Sequence, residues 1–262
     1  MSIPASTITR ETRGHVFLIG LNRPAKKNAL TQEMLRELSR AADEYEADPS
    51  LRAAVLFAHG DAFTAGLDMV DVAPAMSGDA PLLPEGSHDL LGIYGRPRTK
   101  PLVCAVHGLC LTVGIELMLS ADIVVMADNT RLAQIEIKRG IFPFGGACQR
   151  WVAASGWGNA MRWLLTGDEL DAQTALRIGI AQEVVPPDQA LPRAIALAET
   201  IAAQAPLGVA GTLRSARLAI EQGPQAAYAQ LAPEIRRLMS TEDVAEGVMS
   251  FVQRRPAVFQ GR

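Results

Sequence analysis

Two glutamates and two glycine-bearing turns hold the residue types in this chain that can do chemistry together. Ala62-Phe63-Thr64-Ala65-Gly66-Leu67-Asp68 is one turn, and His107-Gly108 followed by Gly114-Ile115-Glu116 is the other. Each falls where a strand should give way to a helix, so each can aim backbone N–H groups at one point in space. Two such groups converging on a carbonyl oxygen form an oxyanion hole. Gln134-Ile135-Glu136, with Gly140, Pro143, Gly145 and Gly146 behind it, adds a second carboxylate that can face Glu116. Two carboxylates beside an oxyanion hole suit proton transfer alpha to a carbonyl.

The elements that must position these groups alternate between strand and helix. Residues 15–21 read as a strand that Asn22-Arg23-Pro24 ends in a turn. Thr31 is a good N-cap for a helix whose apolar stripe is Met34, Leu35 and Leu38 and which stops at Asp48-Pro49. Residues 53–58 are an apolar run typical of a buried strand. The same order recurs with 101–106 and a helix from near Val113, and again with 123–126. This ββα-like repetition indicates a layered α/β domain.

Residues 71–100 break the pattern, being rich in Pro, Gly, Asp and Ser, with only 89–94 looking ordered. A segment of that length inside a compact domain is expected to be a lid or binding loop rather than a linker. Beyond Val185-Pro186-Pro187-Asp188 the character turns helical, over 191–203, 207–222, 224–238 and 241–254. The expected organisation is a core over 1–190 that holds the active site and a helical region over 191–262 that packs on a neighbouring subunit.

The 262 residues suffice to bury a full core, and an apolar share of 48% is generous enough to include a subunit interface. A net charge of −3 with no long Lys/Arg block gives no electrostatic reason to expect nucleic acid. Cys104, Cys110 and Cys148 lack metal-ligand spacing and read as reduced, buried side chains. With no secretory or membrane-spanning stretch, the expected location is the cytoplasm. His15, His59, His88 and His107 share no metal spacing, so no metal site is expected. His107 is expected to support the site rather than react. No Gly-x-Ser-x-Gly elbow, dinucleotide fingerprint or Walker loop is present.

Taken in order, the chain resembles the crotonase superfamily, the enoyl-CoA hydratase/isomerase group, over nearly its whole length. The matching marks are Leu21-Asn22-Arg23-Pro24 with Asn28-Ala29-Leu30, Phe63 to Asp68, Val106-His107-Gly108, Gly114 to Leu117, Ala121-Asp122, and Pro143 with Gly145-Gly146 and Gln149-Arg150. The ending, residues 251–259, also looks like the family's last helix and tail. The resemblance implies the crotonase (ClpP-like) fold, a ββα spiral core with a C-terminal trimerisation region. It implies an acyl-CoA lyase, a 2-enoyl-CoA hydratase above all, with Glu116 and Glu136 as acid and base and the N–H groups of Leu67 and Val113 as oxyanion donors. Lys26, Lys27, Ala65, Asp68, Met69, Val70 and a neighbouring subunit's Arg254 fall where the family meets coenzyme A or substrate. Coenzyme A is then only the carrier part of the substrate, no resident cofactor is expected, and the assembly is a homotrimer or a dimer of trimers. Double-bond isomerisation or racemisation, and a non-catalytic acyl-CoA-binding or RNA-associated role, are the alternatives.

The chain also departs from the hydratase pattern. Leu111-Thr112-Val113 stands where small glycines are usual, Phe144 stands where Gly is common, and Val70 replaces a basic residue. A reshaped acyl pocket and one missing phosphate contact are expected. Lys138 and Arg139, near Glu136 in sequence, are expected to point to solvent rather than pair with it.

Overall fold

The computed structural model describes residues 6–76 and 83–262. Its strands are β1 (Ile8–Arg13), β2 (Val16–Leu21), β3 (Ala53–Ala58), β4 (Ala62–Thr64), β5 (His88–Asp89), β6 (Arg96–Pro97), β7 (Leu102–Val106), β8 (Leu109–Leu111), β9 (Ile123–Ala127), β10 (Arg131–Ala133), β11 (Leu170–Asp171) and β12 (Glu183–Val185). Its helices are α1 (Gln32–Ala47), α2 (Met69–Met76), α3 (Val113–Ser120), α4 (Ala147–Ser155), α5 (Trp157–Leu164), α6 (Ala172–Arg177), α7 (Ala190–Ala202), α8 (Pro206–Gln222), α9 (Pro224–Met239) and α10 (Glu242–Gln253).

A six-stranded sheet runs β1-β2-β3-β7-β9-β12, parallel except for the β1-β2 hairpin. Its inner strands are apolar throughout because both faces are buried, as parallel sheets require. Phe17, Ile19, Ala54, Leu56, Leu102 and Cys104 face the main core, which α1, α3 and α4 help to fill. Val16, Leu18, Ala53, Val55, Val103 and Ala105 alternate with them and face α7. That helix lies on the sheet through Ala194, Ala198 and Ala202, whose spacing of four puts small side chains on one face. The core therefore extends through α7 to Ala202.

A second sheet, β11-β10-β8-β4, carries the chemistry-bearing turns at its strand ends. α1 forms as its sequence dictates: Thr31 accepts a bond from Met34 N–H at 3.2 Å, and Met34, Leu38, Ala41, Ala42 and Tyr45 are buried along one stripe. Arg98 and Asp122 pair at 2.7 Å, and Asp122 also accepts the Leu102 N–H at 2.8 Å, fixing the start of β7 beside the end of α3. Of the segment expected to be a lid or binding loop, residues 77–82 lie outside the described residues. The rest lies in α2 and in a stretch from Leu83 to Lys100 that is loop apart from the short β5-β6 pair, and in which Asp89 accepts the N–H groups of Leu91, Ile93 and Tyr94 at 2.8, 3.0 and 2.9 Å.

Among the described residues no single helix is long and apolar enough to cross a membrane. Cys104 and Cys110 are buried as expected, whereas Cys148 is only half-buried.

Candidate active site

The first turn is built by zipping residues 23–30 onto residues 62–68. Asn28 is fully buried, and its amide donates to His59 O and Ala62 O at 2.8 Å while its Oδ1 accepts the Arg23 N–H at 2.7 Å. Lys27 and Asn28 both have positive φ, 48° and 52°, which makes the tight bend possible. Ala65 N–H then donates to Lys27 O, Leu30 N–H to Gly66 O and Asp68 N–H to Leu30 O, each at 2.8 Å, and Gly66 N–H donates to Thr64 Oγ1 at 3.0 Å. Among the described hydrogen bonds, none uses the N–H of Leu67.

The second turn presents Val113 at the first position of α3. Thr112, its N-cap, makes no side-chain cap bond, and its N–H goes to Ala133 O at 3.2 Å. The Val113 N–H is thus one of the helix-start donors without an intrahelical partner, where the helix dipole adds positive potential. Leu67 and Val113 line one apolar pocket together with Glu116, Leu117, Phe144 and Gly145. The side chains enclosing that pocket surround about 550 Å³, its open mouth included.

Glu116 lies in the first turn of α3 and is 1% exposed. Its Oε1 accepts the N–H of Gly145 at 2.6 Å and of Ala147 at 3.4 Å, at the start of α4. Burial pushes its pKa up, against the pull of those two N–H donors and of Arg150. Gly145 leaves room for this carboxylate: a Cβ there would lie 2.3 Å from Glu116 Oε2, so a larger residue would push the carboxylate aside.

Glu136 opens the 3-10 turn Glu136–Arg139 and is 6% exposed. Gln134 Nε2 donates to its Oε1 at 2.8 Å, while its Oε2 and the Gln134 Oε1 are buried with no hydrogen-bond partner. Burial is the main cause that raises its pKa from 4.5 to about 7, and the Glu116 charge pushes in the same direction. The two carboxylates are therefore electrostatic neighbours in unlike settings: burial raises both, but two backbone N–H donors and Arg150 oppose it at Glu116, whereas at Glu136 the Glu116 charge adds to it. Cys148, whose pKa is raised by burial and by both glutamates, marks the same neighbourhood.

Other expected residues fall in varied places. Lys26 and Lys27 are exposed on the 23–28 bend, and Val70 is 90% exposed with Met69 beside it. Asp68 is tied to Arg23 at 2.8 Å, which holds its carboxyl below the usual range, so it braces the turn. Arg254 caps the end of α10 in a left-handed conformation, away from this pocket's lining. Lys138 reaches Asp168 at 3.8 Å and stands exposed, as the sequence suggested, rather than pairing with Glu136. Phe144 lines the pocket, while Phe142 is exposed. His107 Nε2 bonds Gly60 O at 3.0 Å and supports the loop before β4. Among the described residues, no group of three or more His, Cys, Asp or Glu is arranged to hold a metal ion.

Gln134 and Arg150 are functional neighbours to which the sequence alone assigned no role. Gln134 stood beside Glu136 in the motif, but only the fold shows its amide turned onto that carboxylate. Arg150 donates to Gly145 O at 3.1 Å and to Leu91 O, joining the start of α4 to the pocket loop.

A mixed α/β core thus brings both turns to one apolar pocket, with Glu116 in its wall and Glu136 an electrostatic neighbour of Glu116. The enoyl-CoA hydratase/isomerase family profile matches residues 11–262, and the chain belongs to that family. It is 34% identical over 258 residues to "Enoyl-CoA hydratase EchA19" of Mycobacterium tuberculosis, covering 96% of each chain. It is 33% identical over 255 residues to "2,3-dehydroadipyl-CoA hydratase" of Escherichia coli, covering 97% of this chain and 98% of the relative. The crystal structure of a "probable enoyl-CoA hydratase/isomerase" from Mycobacterium abscessus superposes with a TM-score of 0.95 at 52% identity, over 98% of this chain and 99% of that one.

Proposed function

We propose that the protein adds water across the double bond of 2-enoyl-CoA thioesters. The observation that carries this reading is the unlike pair Glu116 and Glu136 beside a pocket lined by Leu67 and Val113. The thioester oxygen accepts the N–H groups of Leu67 and Val113. Glu116, ionised, takes a proton from water as the water oxygen bonds to C3. The electron pair of the double bond moves onto the thioester oxygen as an enolate, which the two N–H groups stabilise. Glu136, protonated, delivers its proton to C2 as the carbonyl re-forms. Both carboxyls return to their starting states by exchange with solvent. Lone oxyanion donors of this kind are each worth about 3 kcal/mol in other enzymes.

Coenzyme A enters as the carrier of the acyl group; the exposure of Lys26 and Lys27 supports their meeting its phosphates, and backbone near Ala65 and Met69 meets the thioester arm. The exposed apolar residues of the C-terminal helices, Tyr228, Leu231, Ile235 and Met239 on α9 and Val248, Phe251 and Val252 on α10, support self-association into a trimer or a pair of trimers. Arg254 would then act from a neighbouring copy.

The test is purified protein with crotonyl-CoA and longer and branched enoyl-CoA thioesters, following loss of enoyl absorbance and confirming water addition by mass. Proton exchange at C2 in deuterated water without water addition would replace this reading with isomerisation or racemisation.

A further inference from the structure

We infer that the acyl group accepted at this site is uncharged and apolar to its far end, and that an ω-carboxylate is excluded. This rests on the hydratase reading, which places the thioester carbonyl at Leu67 and Val113 and so sends the rest of the acyl group into the pocket they line.

That pocket is walled by Leu35 and Leu38 of α1, Leu83, Leu90 and Leu91 of the loop, and Leu117 of α3. The polar groups among its lining are already committed within the protein. Ser39 Oγ donates to His88 O at 2.7 Å, and Tyr94 Oη donates to Phe144 O at 2.8 Å. The Asp89 carboxylate, 6% exposed, is taken up by three backbone N–H groups of its own loop.

The charges in the wall, Asp89 and Glu116, are both acidic. No cation lines the pocket among the described residues. Arg150, whose charge acts on Glu116, is not in the lining, and its guanidinium donates to the carbonyls of Gly145 and Leu91. A second carboxylate entering here would be desolvated beside like charge with no donor to meet it, which costs far more than a terminal methyl group gains. The relative named for 2,3-dehydroadipyl-CoA therefore differs from this chain in what its pocket must do, despite 33% identity.

Two substrates of equal acyl length read this directly: trans-2-hexenoyl-CoA and 2,3-dehydroadipyl-CoA, compared by kcat/KM for hydration. The expected result is a preference of about a hundredfold or more for hexenoyl-CoA. Equal rates, or a preference for dehydroadipyl-CoA, would overturn the inference while leaving hydration intact. If neither is hydrated the hydratase reading fails, and calorimetric binding of hexanoyl-CoA and adipyl-CoA then decides the pocket's character by itself: tighter hexanoyl-CoA binding supports it, equal or weaker binding overturns it. Leu35, half-buried on α1, gives a converse arm. Leu35→Lys should raise the affinity for adipyl-CoA relative to hexanoyl-CoA by about tenfold, and an unchanged ratio in a folded variant would count against this pocket as the acyl site.

Discussion

Thr112 and Gly66 interlock. A Cβ at position 66 would lie 2.2 Å from Thr112 Oγ1, and Gly66 sits at φ +100°. Thr112 itself holds φ 49° and ψ −115°, a conformation that β-branched residues rarely adopt. The turn before Leu67 and the turn before Val113 are thus keyed together, one by a missing side chain and the other by a strained one.

Gly66→Ala should therefore displace Leu67 as an oxyanion donor. The expected loss is about 10²-fold to 10³-fold in kcat, since backbone donors can be moved but not deleted. Steady-state hydration kinetics on protein with an unchanged far-ultraviolet dichroism spectrum measures it. A kcat within threefold of wild type would show that the turn tolerates the methyl group.

Thr112→Gly tests the strained partner. Releasing a positive φ at a non-glycine residue returns about 1–3 kcal/mol, offset by about 0.5–1 kcal/mol of extra chain entropy in the unfolded state. A net gain of about 1 kcal/mol in urea unfolding is expected. Stability equal to or below wild type would mean that the hydroxyl's packing on Gly66 outweighs the backbone strain.

Much of this site was legible in the sequence because its parts are short and local. Glycines at 66, 114 and 145 announced places where backbone comes close, and the structure supplies the neighbours: Thr112 at Gly66, Thr64 at Gly114 and Glu116 at Gly145. The apolar runs at 16–21, 53–58 and 102–106 became adjacent parallel strands as their composition required. What stayed hidden depends on side chains far apart in sequence. The alternation of sheet residues between the main core and α7 could not be read before the helix was placed. The ion pair of Asp68 joins it to Arg23, forty-five positions earlier.

Removing either carboxylate's acid-base capacity should abolish turnover without abolishing binding. Glu116→Gln and Glu136→Gln are each expected to lower kcat by about 10²-fold to 10⁴-fold, the usual contribution of a positioned acid or base. Affinity for a saturated acyl-CoA, measured by calorimetry, should stay within a few-fold. Retention of hydration in either variant would remove that residue from the proposed pair.

The raised pKa of Glu136 has a stability consequence. Its folded value of about 7 lies above the ordinary 4.5, so the protonated form is the one the fold favours. Its contribution is fully present below about pH 4.5 and is lost as pH rises through about 7. At about 1.4 kcal/mol per unit, the whole difference amounts to about 3 kcal/mol. Glu136→Gln should lose that component, leaving the variant's unfolding free energy less dependent on pH between 5 and 8 than the wild type's. Parallel pH profiles would show that Glu136 ionises as it does in the unfolded chain.

Gln134 should tune the pH at which hydration fails. Protonated Glu136 is the proposed donor to C2, so kcat/KM should fall as pH rises through about 7. The bond from Gln134 Nε2, 2.8 Å from Glu136 Oε1, favours the carboxylate anion and holds that pKa down. Gln134→Leu removes the donor and, with it, the buried unpartnered Oε1 of the amide. The proton is then kept to higher pH, and the descending limb of the profile should move upward by about one pH unit, since a hydrogen bond to a charged group is worth about 1.5–3 kcal/mol. Gln134→Glu places a like charge beside Glu136 and should move the limb upward as well, whereas a purely structural role for Gln134 would lower the whole profile and leave the limb in place.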